Sequence, residues 1–110
     1  MNIFEKIVSG EIPSKKVLES DKFLAFYDIN PKAPIHILVI PKKCVKDFEE
    51  ADFTLLGEMS DFTKQVTKKL GLDKSGYRII TNIGVDGGQE VPHLHFHILG
   101  GTKLKWENLA

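Results

Sequence analysis

The sequence predicts one α+β domain built on a mainly antiparallel five-stranded sheet, with one long and one short helix. Three observations carry that prediction. Apolar stretches of strand length recur between turn-forming residues, and one much longer stretch, 52–70, repeats at helical spacing. Three of the four histidines stand at alternate positions in His93-Leu94-His95-Phe96-His97-Ile98-Leu99. Strict alternation is the signature of a strand whose successive side chains point to opposite faces. At 110 residues the chain has room for one domain, or for one that completes its core by pairing with a copy of itself.

The elements follow in order. Ile3, Phe4, Ile7 and Val8 recur at helical spacing and Gly10 stops them, so a short amphipathic helix opens the chain and Ile12-Pro13 leads out of it. Residues 17–19 and 23–28 read as a strand pair turned at Ser20-Asp21. The prolines and Asn30 within 28–34 resist both helix and central strand and predict a loop. Residues 35–40 are largely apolar and end at Pro41, as a buried strand would. In 52–70 the residues Leu55, Leu56, Met59, Phe62, Val66 and Leu70 form one helical stripe. Lys68 and Lys69 suit the C-terminal end of that helix, and Gly71 suits its cap. Gly76 turns into a fourth strand over 77–82, and the glycine-rich segment 84–89 leads into the histidine strand as the fifth. The tail, 102–110, is mostly polar apart from Leu104, Trp106 and Leu109.

Composition excludes several classes of function. Lys plus Arg and Asp plus Glu both number 15, so no basic field gathers nucleic acid or an anionic membrane. An anionic ligand must be held by local donors. No apolar run approaches the ~20 residues that span a bilayer, and the start of the chain lacks the pattern of a signal peptide. The single Cys44 cannot form an internal disulfide or a cysteine-based zinc site. A cytoplasmic protein is expected.

The histidine strand places three imidazoles on one face and Leu94, Phe96 and Ile98 on the other. Neutral imidazole is a nucleophile, a general base or a metal ligand. In a straight strand the outer two of three alternate residues lie about 13 Å apart, too far for all three rings to share one ion easily. Two of them with His36 could still converge on a metal, although no nearby carboxylate or thiolate completes a familiar ligand pattern. In the other reading the middle imidazole is a nucleophile with one nitrogen free and the other held by an acceptor. Gly84, Gly87 and Gly88 then let backbone N–H groups turn inward as a nest for phosphate oxygens. A local anion nest feeding a histidine nucleophile points to phosphoryl or nucleotidyl transfer.

The pattern His93-x-His95-x-His97 resembles the signature of the histidine-triad (HIT) superfamily of nucleotide hydrolases and transferases. Similarity continues through Ile3-Phe4, Ala25-Phe26-Tyr27-Asp28-Ile29, Pro31-x-Ala33-Pro34-x-His36, Leu38-Val39-Ile40-Pro41-Lys42-Lys43 and Asp86-Gly87-Gly88-Gln89. Leu99-Gly100-Gly101 is similar to the Hint-type nucleotide-binding branch. The dinucleoside polyphosphate hydrolase branch usually carries Pro soon after the triad, and the uridylyltransferase branch carries Gln in place of His97. The resemblance implies a single HIT domain over 1–110 with the HIT-like fold, working as a homodimer without metal or other cofactor.

Its implied activity is hydrolysis of purine nucleoside phosphoramidates and related acyl adenylates, releasing AMP or GMP. On that resemblance His95 is the nucleophile at the α-phosphorus, His97 contacts the phosphate or its ester oxygen, and His93 and His36 support the imidazole network. Asp28 accepts from the ribose hydroxyls, although an Asx turn before Asn30-Pro31 would also explain it. Ile3, Phe4, Ile7, Phe26 and Ile29 line a slot for the base. Asn82, Gly88 and Gln89 belong to the phosphate site, and Trp106 reaches the partner subunit's site. Glu90 departs from relatives that carry Ser there, and its carboxylate would favour basic leaving amines such as a lysyl side chain. The paired cysteines that some relatives use for structural zinc are absent around Asn2-Ile3-Phe4-Glu5. Two alternatives remain open on the same residues: dinucleoside polyphosphate hydrolysis, and nucleotide binding in a regulatory module with negligible turnover.

Overall fold

The computed structural model describes residues 1–107; the end of the predicted tail, including Leu109, lies outside the described residues. The elements are α1 (Ile3–Val8), β1 (Lys16–Glu19), β2 (Phe23–Tyr27), β3 (Ile35–Pro41), α2 (Phe53–Lys69), α3 (Leu72–Ser75), β4 (Arg78–Ile80) and β5 (Phe96–Gly100). The strands form one sheet in the order β1-β2-β3-β5-β4, with every neighbouring pair antiparallel. The α+β class, the five-stranded antiparallel sheet and the long helix are as predicted. No helix among the described residues is long and apolar enough to cross a membrane.

Burial on both faces explains why β2 and β3 read as continuous apolar runs. Phe23, Ala25, Ile37 and Val39 face α2 and pack with Met59, Phe62 and Val66. Leu24, Phe26, Leu38 and Ile40 face the other way and pack with Phe4 and Ile7 of α1. The sheet is therefore covered on one face by the long helix and on the other, in part, by the short one.

Three features differ from the expectation. An extra turn, α3, follows α2 because Gly71 leaves the helix with φ 74° and the chain restarts to bury Leu72. The fourth strand pairs over only three residues, Arg78–Ile80. The histidine strand begins only at Phe96: His93, Leu94 and His95 lie ahead of it, and the Leu94 N–H donates to the Val45 carbonyl at 2.7 Å instead of to a sheet neighbour. The alternation still has its predicted cause, because Leu94, Phe96 and Ile98 enter the core beneath α2.

Candidate active site

All four histidines gather on the α1 face of the sheet, and backbone groups dictate which nitrogen of each carries a proton. The Lys32 N–H donates to His36 Nδ1 at 3.0 Å. Since that backbone group can only donate, the His36 proton sits on Nε2, which lies 2.9 Å from His97 Nδ1 and 3.5 Å from Asp28 Oδ2. His97 Nδ1 therefore accepts, leaving His97 Nε2 protonated as a donor. His95 Nδ1 donates to the His93 carbonyl at 2.7 Å, so His95 Nε2 keeps its lone pair. His93 Nε2 donates to the Pro41 carbonyl at 2.7 Å. The result is one bare nucleophilic nitrogen beside one N–H donor, the ring centroids of His95 and His97 being 5.1 Å apart.

Burial holds three of these rings neutral. His95 and His36 are shifted below the ordinary imidazole pKa chiefly by desolvation, and His97 is lowered to about 4 by burial and then by its two histidine neighbours. A neutral imidazole at neutral pH is the form in which nitrogen attacks.

His36, His95 and His97 open onto a cavity of about 440 Å³. Of the predicted contacts, Ile3, Phe4, Ile7, Phe26, Asp28, Ile29, Asn82, Gly88 and Glu90 line it. Its apolar end is built by α1, with the Phe4 ring edge-on to Phe26 and to His95 at centroid distances of 6.0 and 5.0 Å. Asp28 forms the Asx turn and also faces the histidines. One carboxylate oxygen closes an Asx turn with the Asn30 N–H at 2.8 Å, while the other approaches His36.

The predicted phosphate nest needs correction. The Gly88 N–H donates to Val85 O and the Gln89 N–H to Gly84 O, both at 3.0 Å, so these donors turn into the loop rather than toward the cavity. Gln89 braces the loop instead of lining the site: its Oε1 accepts from the Gly84 N–H, and its Nε2 donates to the Lys46 and Val91 carbonyls. Asn82 ties the same loop through Nδ2 to Gly87 O at 2.8 Å. His93 is wholly buried behind the cavity, and Trp106 is 81% exposed, outside the cavity of its own chain, with the Arg78 guanidinium 5.9 Å from its ring centre.

Residues that sequence reasoning missed include Ser14, Tyr27, Lys32 and Val91 on the cavity wall, and Asn2 behind it. For Asn2 a signal was present, since Asn2-x-x-Glu5 is the spacing of a helix capping box and both of its bonds form. Its reach to His93 left no local trace.

One candidate ligand atom from each of Asp28, His36 and His97 lies within 4.8 Å of the other two, close enough to consider a shared ion. The donor chemistry opposes it. With His36 Nδ1 accepting from a backbone N–H, a metal on Nε2 would require the imidazolate, so the trio is better suited to relaying a proton.

A family model described as the HIT domain matches residues 9–104. An uncharacterized HIT-like protein of Helicobacter pylori is 54% identical over 103 residues, covering 94% of this chain and 99% of that protein. A solved HIT family hydrolase from Legionella pneumophila superposes with a TM-score of 0.90 at 40% identity, covering 96% of this chain and 97% of the other. A histidine triad nucleotide-binding protein from Candida albicans superposes at 0.83 with 38% identity, covering 89% and 73%.

Proposed function

The chain belongs to the HIT family, and from that premise we propose that it hydrolyses purine nucleoside 5'-phosphoramidates through a covalent nucleotidyl-His95 intermediate. The observation that carries the reading is the tautomer of His95: Nδ1–H is engaged by the His93 carbonyl at 2.7 Å, and Nε2 is left bare. In the first step His95 Nε2 attacks the α-phosphorus and the P–N bond to the leaving amine breaks. The departing nitrogen takes its proton from solvent, while His97 Nε2–H donates a hydrogen bond to a phosphoryl oxygen and so favours the charge that builds there. In the second step water adds to the phosphorus, the P–N bond to His95 breaks, and the nucleoside monophosphate leaves. The water's proton returns to solvent, replacing the one the amine took, so both imidazoles end as they began.

Asp28 at the turn is suited to the ribose hydroxyls, and the slot between α1 and Phe26 to the base. Glu90 stands exposed at the cavity and favours a basic leaving amine. The histidine triad nucleotide-binding protein among the similar structures supports a nucleotide ligand, and the similar hydrolase supports turnover. We place a second copy of the chain on the β4 edge, where Ile79 is 48% exposed and Trp106 stands clear of its own site.

His95→Ala is expected to lower turnover of adenosine 5'-phosphoramidate by several orders of magnitude while AMP binding survives. Acid-quenched wild-type enzyme with labelled substrate should carry an acid-labile nucleotidyl adduct that the variant lacks. Full activity in His95→Ala would remove His95 from the chemistry.

A further inference from the structure

We infer that Asn2 is a positioning residue for His95, its carboxamide holding His93 in the arrangement from which the His93 carbonyl orients the nucleophile. The inference rests on the reading of His95 given above. Asn2 caps α1: its Oδ1 accepts from the Glu5 N–H at 2.8 Å, and the Glu5 carboxylate accepts from the Asn2 N–H at 3.0 Å. As a helix cap it is complete at that point. The amide goes further, with Nδ2 at 3.1 Å from His93 Nδ1 and 3.5 Å from Cys44 Sγ.

Two backbone groups at the ends of this line cannot change role. The Glu5 N–H only donates, so Oδ1 faces it and Nδ2 faces the ring. The Pro41 carbonyl only accepts, so His93 Nε2 carries the proton and Nδ1 accepts from Asn2. His93 is fully buried, so neither ring nitrogen has water to fall back on. The carbonyl of the same residue accepts the hydrogen bond from His95 Nδ1–H. Carboxamide, imidazole and carbonyl thus form one continuous support from residue 2 to the nucleophile. Phe4, from the same short helix, lies edge-on to His93 and His95 at 5.7 and 5.0 Å. Around this ring the titratable groups are Glu5 from α1, Cys44 from the segment after β3, and His95 itself.

Asn2→Asp and Asn2→Ser test the inference because both keep a good cap. The carboxylate presents an acceptor where His93 Nδ1 needs a donor, so His93 takes a second proton; the serine hydroxyl is too short to reach the ring. With adenosine 5'-phosphoramidate, kcat should fall about ten- to a hundredfold in both variants. KM should move less than about threefold. Nitrogen-15 spectra of the rings at neutral pH should show His93 protonated on Nε2 alone in the wild type and on both nitrogens in Asn2→Asp. A residue that merely caps α1 would leave kcat and the His93 signals unchanged in both variants, and that result would overturn the inference. If the wild type forms no nucleotidyl adduct, the reading of His95 falls, and the ring spectra still decide Asn2: His93 and His95 signals unmoved by Asn2→Asp would refute it.

Discussion

At the residue scale the site is a set of hydrogen-bond roles dictated by groups that cannot exchange them. The Lys32 and Glu5 N–H groups and the Pro41 and His93 carbonyls assign every imidazole proton in the cluster. The alternation of the three histidines was plain in the sequence; these partners were not, because they come from 2 to 91 residues away and only the folded backbone aims them at the rings. Ser14 shows the opposite situation. Its Oγ is the one buried side-chain polar atom without a hydrogen-bond partner among the described residues, and Ser14 lines the cavity. A buried hydroxyl with nothing to bond costs stability, and removing it relieves that cost. Ser14→Ala is expected to stabilise the free protein by about 1 kcal/mol, read as a higher midpoint in urea. A lower midpoint would mean that the hydroxyl is satisfied in solution.

At the scale of elements, what was legible depended on how local the cause was. The apolar stripe of α2 was, since Met59, Phe62 and Val66 recur with helical spacing and all three are buried against the sheet. The short α3 was hidden because only the burial of Leu72 calls for it. The start of β5 was misplaced because the Leu94 N–H is claimed by Val45 rather than by a strand, a long-range choice that alternation does not encode. For the glycine loop the residues were identified but their purpose was not: the N–H groups at 88 and 89 close turns, and Gln89 and Asn82 brace the loop from either side. Gly87 is the residue on which that shape depends, because a Cβ there would meet the Ile83 carbonyl oxygen at 2.2 Å. Gly87→Ala must therefore open the turn and give up the bonds across it, at about 1 kcal/mol each. Hydrogen exchange should quicken at residues 84–89 while β2 and β3 stay protected, and KM for the nucleotide should rise. Exchange that speeds up uniformly across the protein would show that the loop is not an independent unit.

At the scale of the whole molecule, the sheet separates two tasks: α2 and one face supply a dry core, while α1 and the other face enclose imidazoles that are held neutral. That arrangement makes stability depend on pH in a defined window. His36, His95 and His97 all have folded-state pKa values below the ordinary 6.5, His97 at about 4. Between those limits the unfolded chain binds protons that the folded one refuses, so stability rises with pH there. The contribution is fully present above pH 6.5 and is lost as pH falls through the window toward 4. Loss at lower pH has a different origin, since Glu19 is held below its ordinary 4.5 by hydrogen bonds to Lys42 and Lys16. Urea midpoints are therefore expected to be level between pH 7 and 8 and to decline steadily from pH 6.5 to 4.5. His97→Asn should flatten that decline by removing the most strongly shifted ring. Saturating AMP should flatten it as well, because an anion beside His95 and His97 favours their protonated forms in the folded state. A wild-type midpoint that stays level down to pH 4.5 would mean that the buried imidazoles take up protons without unfolding, and the neutral nucleophile would lose its physical basis.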